Sequence, residues 1–175
     1  MAPFLRVLLL AACLAGCASQ PVQRTEAAPE HPLVHGLGND DSGEPVLLRG
    51  SSNEVLIRAI GLVGTPYRYG GNTPEGGFDC SGLVAYVFNE ATGLRLPRST
   101  REQINYPARR IDREDVQAGD LLFFSTRGRQ INHIGIYVGE GRFVHAPSSG
   151  GTVRLDHLET AYWQKAFAGA RRVLE

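Results

Sequence analysis

The pattern of apolar and polar residues divides the chain near residue 50. Between residues 18 and 50 there is no regular hydrophobic period, and prolines, glycines and acidic residues fill the stretch. Beyond it Ser51 and Glu54 form a capping box, and apolar residues at positions 55, 56, 59, 60 and 63 follow at helical spacing. The pattern predicts a disordered tether and then a folded region whose first helix ends at Gly64.

A second helix is predicted to begin after Asp79, a good N-cap residue, and to end at Gly93. Its apolar positions are 83, 84, 87, 88 and 91, which again follow helical spacing. Ser99 and Glu102 form another capping box, and this predicts a short third helix.

The rest of the pattern is typical of strands, which are predicted at residues 120–124, 133–138, 142–146 and 167–173. A turn at residues 139–141 joins the second and third of them, and Asp156 is predicted to cap a short helix that runs through Tyr162. Helices that precede strands predict an α+β domain over residues 51–175, with N-terminal helices packed on a central antiparallel sheet.

Residues 1–16 resemble a bacterial lipoprotein signal peptide. Arg6 precedes an apolar run at residues 7–14 that is too short to span a bilayer. The sequence Leu14-Ala15-Gly16-Cys17 resembles a lipobox, in which the signal is cut before the cysteine and that cysteine carries lipid. Residues 17–50 would then be the lipidated Cys17 and its tether; an ordinary secretory signal cut elsewhere is the alternative.

The cysteine count singles out Cys80. Cys13 would leave with the signal and Cys17 would be acylated, so Cys80 is the only free thiol expected in the mature chain. It is predicted in the first turn of the second helix, where the helix dipole favours an anion and lowers the pKa of a cysteine. A small buried core cysteine is the alternative interpretation.

Two histidines, His133 and His145, flank the predicted hairpin. With a three-residue loop, Gly135 pairs with His145, and the two histidines share one face of the sheet. A two-residue loop would place them on opposite faces. On the shared face, His133 could take the thiol proton of Cys80 and His145 could orient His133, with Gly135 leaving room for the helix end.

Other interpretations of these residues stay open. They could be two unrelated strand histidines, or the cysteine and the two histidines could bind zinc. A structural zinc site requires four ligands, and the remaining histidine of the domain, His157, is predicted on a separate surface helix.

Several motifs together resemble the NlpC-type family of cell-wall cysteine peptidases, a papain-like group, over nearly all of residues 52–175. The motifs are, in chain order, Gly64-Thr65-Pro66-Tyr67-Arg68-Tyr69-Gly70-Gly71, Phe78-Asp79-Cys80-Ser81-Gly82-Leu83-Val84, Leu96-Pro97-Arg98-Ser99-Thr100, Gly119-Asp120-Leu121-Leu122-Phe123-Phe124, Asn132-His133-Ile134-Gly135-Ile136-Tyr137-Val138-Gly139 and Phe143-Val144-His145-Ala146.

The resemblance implies a papain-like fold and a catalytic set of Cys80, His133 and His145. It also implies that the hydroxyl of Tyr67 lies near the oxyanion, and that Asp79 and Ser81 line the pocket for the acyl side of the substrate. Tyr67 could equally be a half-buried core residue, and Asp79 and Ser81 are adequately explained as residues that start a helix.

The activity implied by the resemblance is hydrolysis of amide bonds in peptidoglycan stem peptides, typically between D-glutamate and the next diamino acid, through an acyl-enzyme. Neither a cofactor nor a metal is expected. An amidase or acyltransferase with the same catalytic set, and a non-catalytic lipoprotein that binds the wall, are the alternatives.

Charge and location complete the expectations. The formal net charge is zero, so no basic field indicates nucleic-acid binding, and no second apolar segment is long enough to cross a membrane. The expected partners are stem peptides and, through the lipid on Cys17, a membrane. A monomer on the periplasmic face of the outer membrane is expected.

Overall fold

A computed structural model describes residues 51–149 and 151–174 of the chain. The predicted signal peptide, the lipidation site at Cys17 and the tether lie outside the described residues. No helix in the described part of the chain is long and apolar enough to cross a membrane.

The helices begin where their caps predict. The side chain of Ser51 accepts a hydrogen bond from the Glu54 N–H, and Asp79 accepts one from Gly82. Ser99 and Glu102 form both halves of a capping box. The described helices are α1 (Ser52–Gly61), α2 (Cys80–Thr92), α3 (Thr100–Gln103) and α4 (Ala161–Ala166), with a 3-10 turn at Arg113–Asp115.

The sheet contains the four predicted strands and further short ones. The strands are β1 (Asn72–Thr73), β2 (Gly77–Phe78), β3 (Arg109–Ile111), β4 (Leu121–Phe124), β5 (His133–Gly139), β6 (Arg142–His145), β7 (Arg154–His157) and β8 (Phe167–Arg172). β1 and β2 form a small hairpin, and the other six form one antiparallel sheet in the order β3-β8-β4-β5-β6-β7. The α+β prediction with an antiparallel sheet is thus confirmed.

The prediction of a helix capped by Asp156 is wrong. Asp156 and His157 belong to β7, which pairs with β6 through Phe143 and Arg142. The following helix begins after Thr160. A whole ladder of backbone hydrogen bonds to β6 competes with the single hydrogen bond that a capping side chain offers, and the ladder prevails here.

Each face of the sheet covers a different apolar core. Helices α1 and α2 pack against one face through a cluster that includes Val87, Phe88, Ile134 and Ile136. The other face packs against α4, where Trp163 belongs to a second cluster. The alternation of β4 explains the division, because Leu121 and Phe123 join the first cluster while Leu122 and Phe124 join the second.

The first turn of α2 fits against the glycine turn before it because Gly82 has no side chain. A Cβ at Gly82 would collide with the backbone carbonyl oxygen of Gly71. That oxygen accepts hydrogen bonds from the Asp79 N–H at 3.1 Å and from Nη2 of Arg98 at 3.1 Å. The close approach of two backbone segments therefore fixes the position of residue 80.

We predict that Gly82→Ala lowers the free energy of unfolding by about 2–3 kcal/mol, because backbone rather than a flexible side chain must move to admit the methyl group. Urea denaturation followed by circular dichroism measures the change. Gly61→Ala, at a position with open space, is the matched control and should leave stability unchanged or raise it by up to about 1 kcal/mol. Equal stability of the two variants would contradict the packing argument.

Candidate active site

Cys80 is the first residue of α2, as the sequence predicts. Its side chain is half-buried, and Sγ lies 3.7 Å from Oγ1 of Thr100. Burial raises the pKa of the Cys80 thiol, and the nearby charge of Asp79 adds to the increase. The expectation of a pKa lowered by the helix N-terminus is therefore wrong, because loss of water around the thiolate outweighs the favourable backbone groups.

Asp79 is held by a dense set of donors rather than left open to solvent. Its carboxylate accepts hydrogen bonds from Nη1 and Nη2 of Arg98 at 2.9 and 2.8 Å, from the Gly82 N–H at 2.7 Å and from the Gly70 N–H at 2.9 Å. The Ser81 hydroxyl also donates to it, at 3.1 Å. Burial opposes ionisation, but the bonds from Arg98 and Gly82 prevail and lower the pKa of Asp79.

The two histidines meet on one face of the sheet. Nε2 of His133 lies 2.8 Å from Nδ1 of His145, and the rings are nearly perpendicular, at 82°. The pairs Ile136–Val144 and Tyr137–Phe143 give the predicted register, which places Gly135 opposite His145. The predicted three-residue loop is wrong, because β5 extends to Gly139 and leaves a two-residue turn, Glu140-Gly141. A bulge between Tyr137 and Gly139 pairs Gly139 with Arg142 and keeps the two histidines on one face.

The expectation that this histidine face receives the cysteine helix is wrong. Helix α2 packs on the opposite face, against Ile134 and Ile136, whereas both histidine rings lie among the aromatic side chains around Trp163. The space above Gly135 is taken by Phe143 and His145, since a Cβ there would lie 2.7 Å from a ring carbon of Phe143. Cys80 and His133 instead meet at the end of the sheet, where both line one cavity.

That cavity has a volume of about 630 Å³. Of the residues predicted for catalysis, oxyanion support and substrate binding, all line it except His145, which is fully buried. The lining residues are Tyr67, Tyr69, Gly70, Asp79, Cys80, Ser81, Arg98, Ser99, Thr100, Thr126, Arg127, Asn132, His133, Ala146 and Ser148. Burial, with the charges of Cys80 and Asp79, raises the pKa of Tyr67, so its hydroxyl is protonated at neutral pH.

Asp156 is a residue of the site that sequence reasoning missed. Its Oδ2 lies 3.0 Å from Nε2 of His145 and accepts hydrogen bonds from Nε1 of Trp163 at 3.0 Å and from Nη2 of Arg154 at 3.1 Å. Its placement on an assumed helix hid this role. The alternation of Val153 and Leu155 with polar neighbours was the available signal for a strand.

Trp163 supports the histidine pair from α4. Its indole stacks on the His133 ring at a centroid distance of 5.7 Å and an angle of 23°, and it meets the His145 ring edge-on at 5.0 Å. One side chain thus packs on both imidazoles and also donates to Asp156, which restricts the orientation of all three groups.

The contacts indicate where the imidazole protons lie. A carboxylate beside Nε2 of His145 favours a proton on that nitrogen, so Nδ1 is left to accept from Nε2–H of His133. The remaining lone pair of His133 is then on Nδ1, the nitrogen that His145 does not engage. Nε2 of His133 and Nδ1 of His145 face each other rather than a common metal position, and no group of three or more possible ligands occurs in residues 51–149 and 151–174.

Burial keeps both imidazoles neutral at neutral pH. Burial, and after it the adjacent His145, lowers the pKa of His133 from 6.5 to about 3. The pKa of His145 falls to about 4, again mainly through burial, while the negative charge of Asp156 opposes the decrease. One cavity is therefore lined by a neutral thiol and a neutral imidazole.

Comparison with known proteins identifies the class of this site. Residues 64–172 match the NlpC/P60 family, and the chain belongs to this family of cysteine peptidases. It is 43% identical over 122 residues to the murein DD-endopeptidase MepH of Escherichia coli K12, an alignment that covers 69% of this chain and 45% of the relative.

Two further relatives place the chain in the same group. It is 37% identical to the bifunctional muramidase/DL-endopeptidase CwlT of Bacillus subtilis 168, over 82% of this chain and 44% of that one. The crystal structure of a Staphylococcus aureus Mu50 NLP/P60 family protein, described as similar to lipoprotein, superposes with a TM-score of 0.62 at 38% identity, over 71% of this chain and 41% of the other. The chain thus spans about half of the length of these curated relatives.

We predict that Asp156→Asn reduces kcat/KM on a hydrolysed substrate by about tenfold. The carboxylate raises the pKa of both histidines, and each unit of pKa lost lowers the imidazolium population about tenfold at fixed pH. The amide oxygen can still accept from Trp163, so the fold is preserved. Asp112→Asn, on an exposed carboxylate outside the site, is the control; equal rates for both variants would rule out the electrostatic effect.

The buried histidines also predict how stability depends on pH. An unfolded histidine binds a proton below about pH 6.5, whereas the folded ones do so only near pH 3 and 4, so the folded state binds fewer protons in between. The contribution of the neutral histidines to the free energy of unfolding is therefore complete above pH 6.5. It decreases as the pH falls toward 4, by at most about 1.4 kcal/mol per pH unit for each histidine.

Urea denaturation between pH 7 and 4.5 measures this slope. His133→Gln should reduce it, because the substitution removes one of the two titrating groups. His157→Gln changes an exposed histidine of β7 and should keep the wild-type slope. A wild-type slope that survives in His133→Gln would show that other groups produce the acid sensitivity.

Proposed function

We propose that this protein is a murein endopeptidase that hydrolyses amide bonds in peptidoglycan stem peptides with Cys80 as nucleophile. The observation that carries the proposal is the 2.8 Å contact between His133 and His145, in a site where His133 and Cys80 line the same cavity. Nucleophile, base and orienting group are the three parts that thiol catalysis requires. Membership of the NlpC/P60 family and the murein activities named for its relatives support the substrate class.

In the proposed reaction, Nδ1 of His133 takes the thiol proton of Cys80 while Sγ bonds to the amide carbon. The carbonyl oxygen becomes an oxyanion, which the Cys80 N–H and the protonated hydroxyl of Tyr67 stabilise. When the C–N bond breaks, the proton on His133 passes to the leaving amine and an acyl-enzyme remains. Water then attacks the thioester carbon, His133 takes its proton, and the released thiolate recovers that proton.

His145 and Asp156 act in this scheme through His133. His145 holds the His133 ring by the contact at Nε2, and Asp156 lies behind His145. His133 becomes positively charged when it holds the thiol proton. The carboxylate of Asp156, which contacts His145 on the side away from His133, stabilises that charge. Asp79 and Ser81 are proposed to line the acyl side of the pocket, where Nη1 of Arg98 donates to both of them.

The bond cleaved is proposed to join D-glutamate to the following diamino acid. The DL-endopeptidase activity in the name of CwlT supports this choice, whereas the DD-endopeptidase activity in the name of MepH indicates a D,D cross-link instead. Both bonds are amides of a stem peptide, so the same catalytic groups would serve either of them.

We further propose that the chain is anchored in the cell envelope by a lipid on Cys17, on the periplasmic face of an outer membrane. The lipobox-like sequence supports the lipid on Cys17, as does the description of the S. aureus relative as similar to lipoprotein. A Cys17→Ser protein that still fractionates entirely with membranes would contradict it.

We predict that Cys80→Ala abolishes hydrolysis of purified murein fragments while the protein stays folded, because the thiol supplies the bond-forming atom and little buried area. Mass spectrometry of fragments incubated with the full chain measures activity and also distinguishes the two bonds by the mass of the products. Asn53→Ala, at an exposed position of α1 outside the cavity of Cys80, is the control and should keep wild-type turnover. Turnover by Cys80→Ala equal to wild type would refute the nucleophile assignment.

A further inference from the structure

A second cavity, of about 310 Å³, opens beside the first. The two cavities share Thr126, Arg127, His133 and Ser148. Cys80 lines only the first cavity, and Arg154 and Trp163 line only the second. The second cavity therefore extends past His133 on the side away from the nucleophile.

This position corresponds to one side of the scissile bond. The acyl part of the substrate stays attached to Cys80, and the amine leaves with a proton from His133. A cavity that includes His133 but not Cys80 is thus placed to hold the amino acid that departs, rather than the part that remains as acyl-enzyme.

The charges around this cavity favour an anion. Arg127 and Arg154 both line it, and none of its lining residues is an aspartate or a glutamate. Arg127 is exposed, and its Nη2 donates to the Ser148 hydroxyl at a long distance of 3.4 Å. Nη2 of Arg154 donates to Asp156, and the Arg154 side chain as a whole is 42% exposed. Guanidinium groups bind carboxylates through charge-assisted hydrogen bonds, so the two arginines suit a bound carboxylate.

We propose that the cavity between Arg127 and Arg154 binds the carboxylate of the leaving amino acid. This inference rests on the proposed amide hydrolysis. An α-amino acid released at its amine carries its carboxyl group one carbon from the nitrogen that His133 protonates, so the two groups enter neighbouring sites together. The site selects substrates in which that carboxyl is free over those in which it is blocked.

A pair of substrates tests the selection. A stem peptide that ends in the amino acid on the leaving side is prepared as the free acid and as the primary amide, and kcat/KM is measured for both with the full chain. We expect wild type to prefer the acid by about tenfold, the effect of one charge-assisted hydrogen bond. The acid-to-amide ratio of kcat/KM should fall toward one in Arg127→Gln and in Arg154→Gln. Arg154→Lys retains the positive charge and should therefore keep part of the preference for the acid.

The ratio of kcat/KM for the acid to kcat/KM for the amide separates recognition of the carboxylate from the rate of hydrolysis itself. Arg154 also contacts Asp156, so its substitution can slow hydrolysis of both peptides, but such a loss cancels in the ratio. Arg129→Gln is the matched control, because Arg129 is an exposed arginine of the same loop as Arg127 and lines neither cavity. It should keep the wild-type ratio.

The outcomes keep the two proposals apart. Hydrolysis of both peptides without preference for the acid overturns the carboxylate site and leaves the proposed function intact, as does a preference that survives in both arginine variants. If wild type hydrolyses neither peptide, the proposed function fails. Calorimetric titration of the full chain with the N-acetylated leaving amino acid and with its amide then decides the site by itself: tighter binding of the acid, lost in Arg127→Gln, supports it, and equal binding refutes it.

Discussion

The antiparallel register of β5 and β6 is the constraint on which the site depends. Side chains alternate between the faces of a strand, so a slip of one residue would place His145 on the face of Ile134 and Val144, inside the core under α2. The observed register instead brings Nδ1 of His145 to 2.8 Å from Nε2 of His133. Gly135 makes this packing possible, since a larger residue there would displace Phe143 and His145.

Each face of the sheet packs against a different apolar core, and the site forms at the end of the sheet, between these two cores. Cys80 comes from the helix on one face, whereas the histidine pair lies on the other among aromatic residues. This separation keeps the thiol on one side of the strand end and fixes the imidazoles by packing on the other. Trp163 contributes to the fixing of the imidazoles, because it packs on both histidine rings and also donates to Asp156.

Sequence reasoning predicted what is decided locally. The starts of α1, α2 and α3 follow from caps whose partners lie within four residues of one another. The shared face of the two histidines was predicted from a three-residue turn, whereas the protein reaches it with a two-residue turn and a bulge before that turn. It failed where distant segments compete. A lone Asp156 can cap a helix, and only the presence of β6 as a partner strand makes it a strand residue. Similarly, no spacing along the chain reveals that Arg98 would bond to Asp79, or which face of β5 would receive α2.

Burial shifts the pKa values of Cys80 and His133 in opposite directions, and both shifts favour the neutral form of the side chain. It raises the pKa of the thiol and lowers that of the imidazole, so the resting pair is neutral. A protonated thiol is a poor nucleophile and also reacts slowly with oxidants, because the thiolate is the reactive form in both processes. A lone cysteine in an exported protein, as proposed here, meets an oxidising compartment. The neutral state thus protects the thiol between turnovers, and the proton transfer to His133 that activates it is made easier by the carboxylate of Asp156 behind His145.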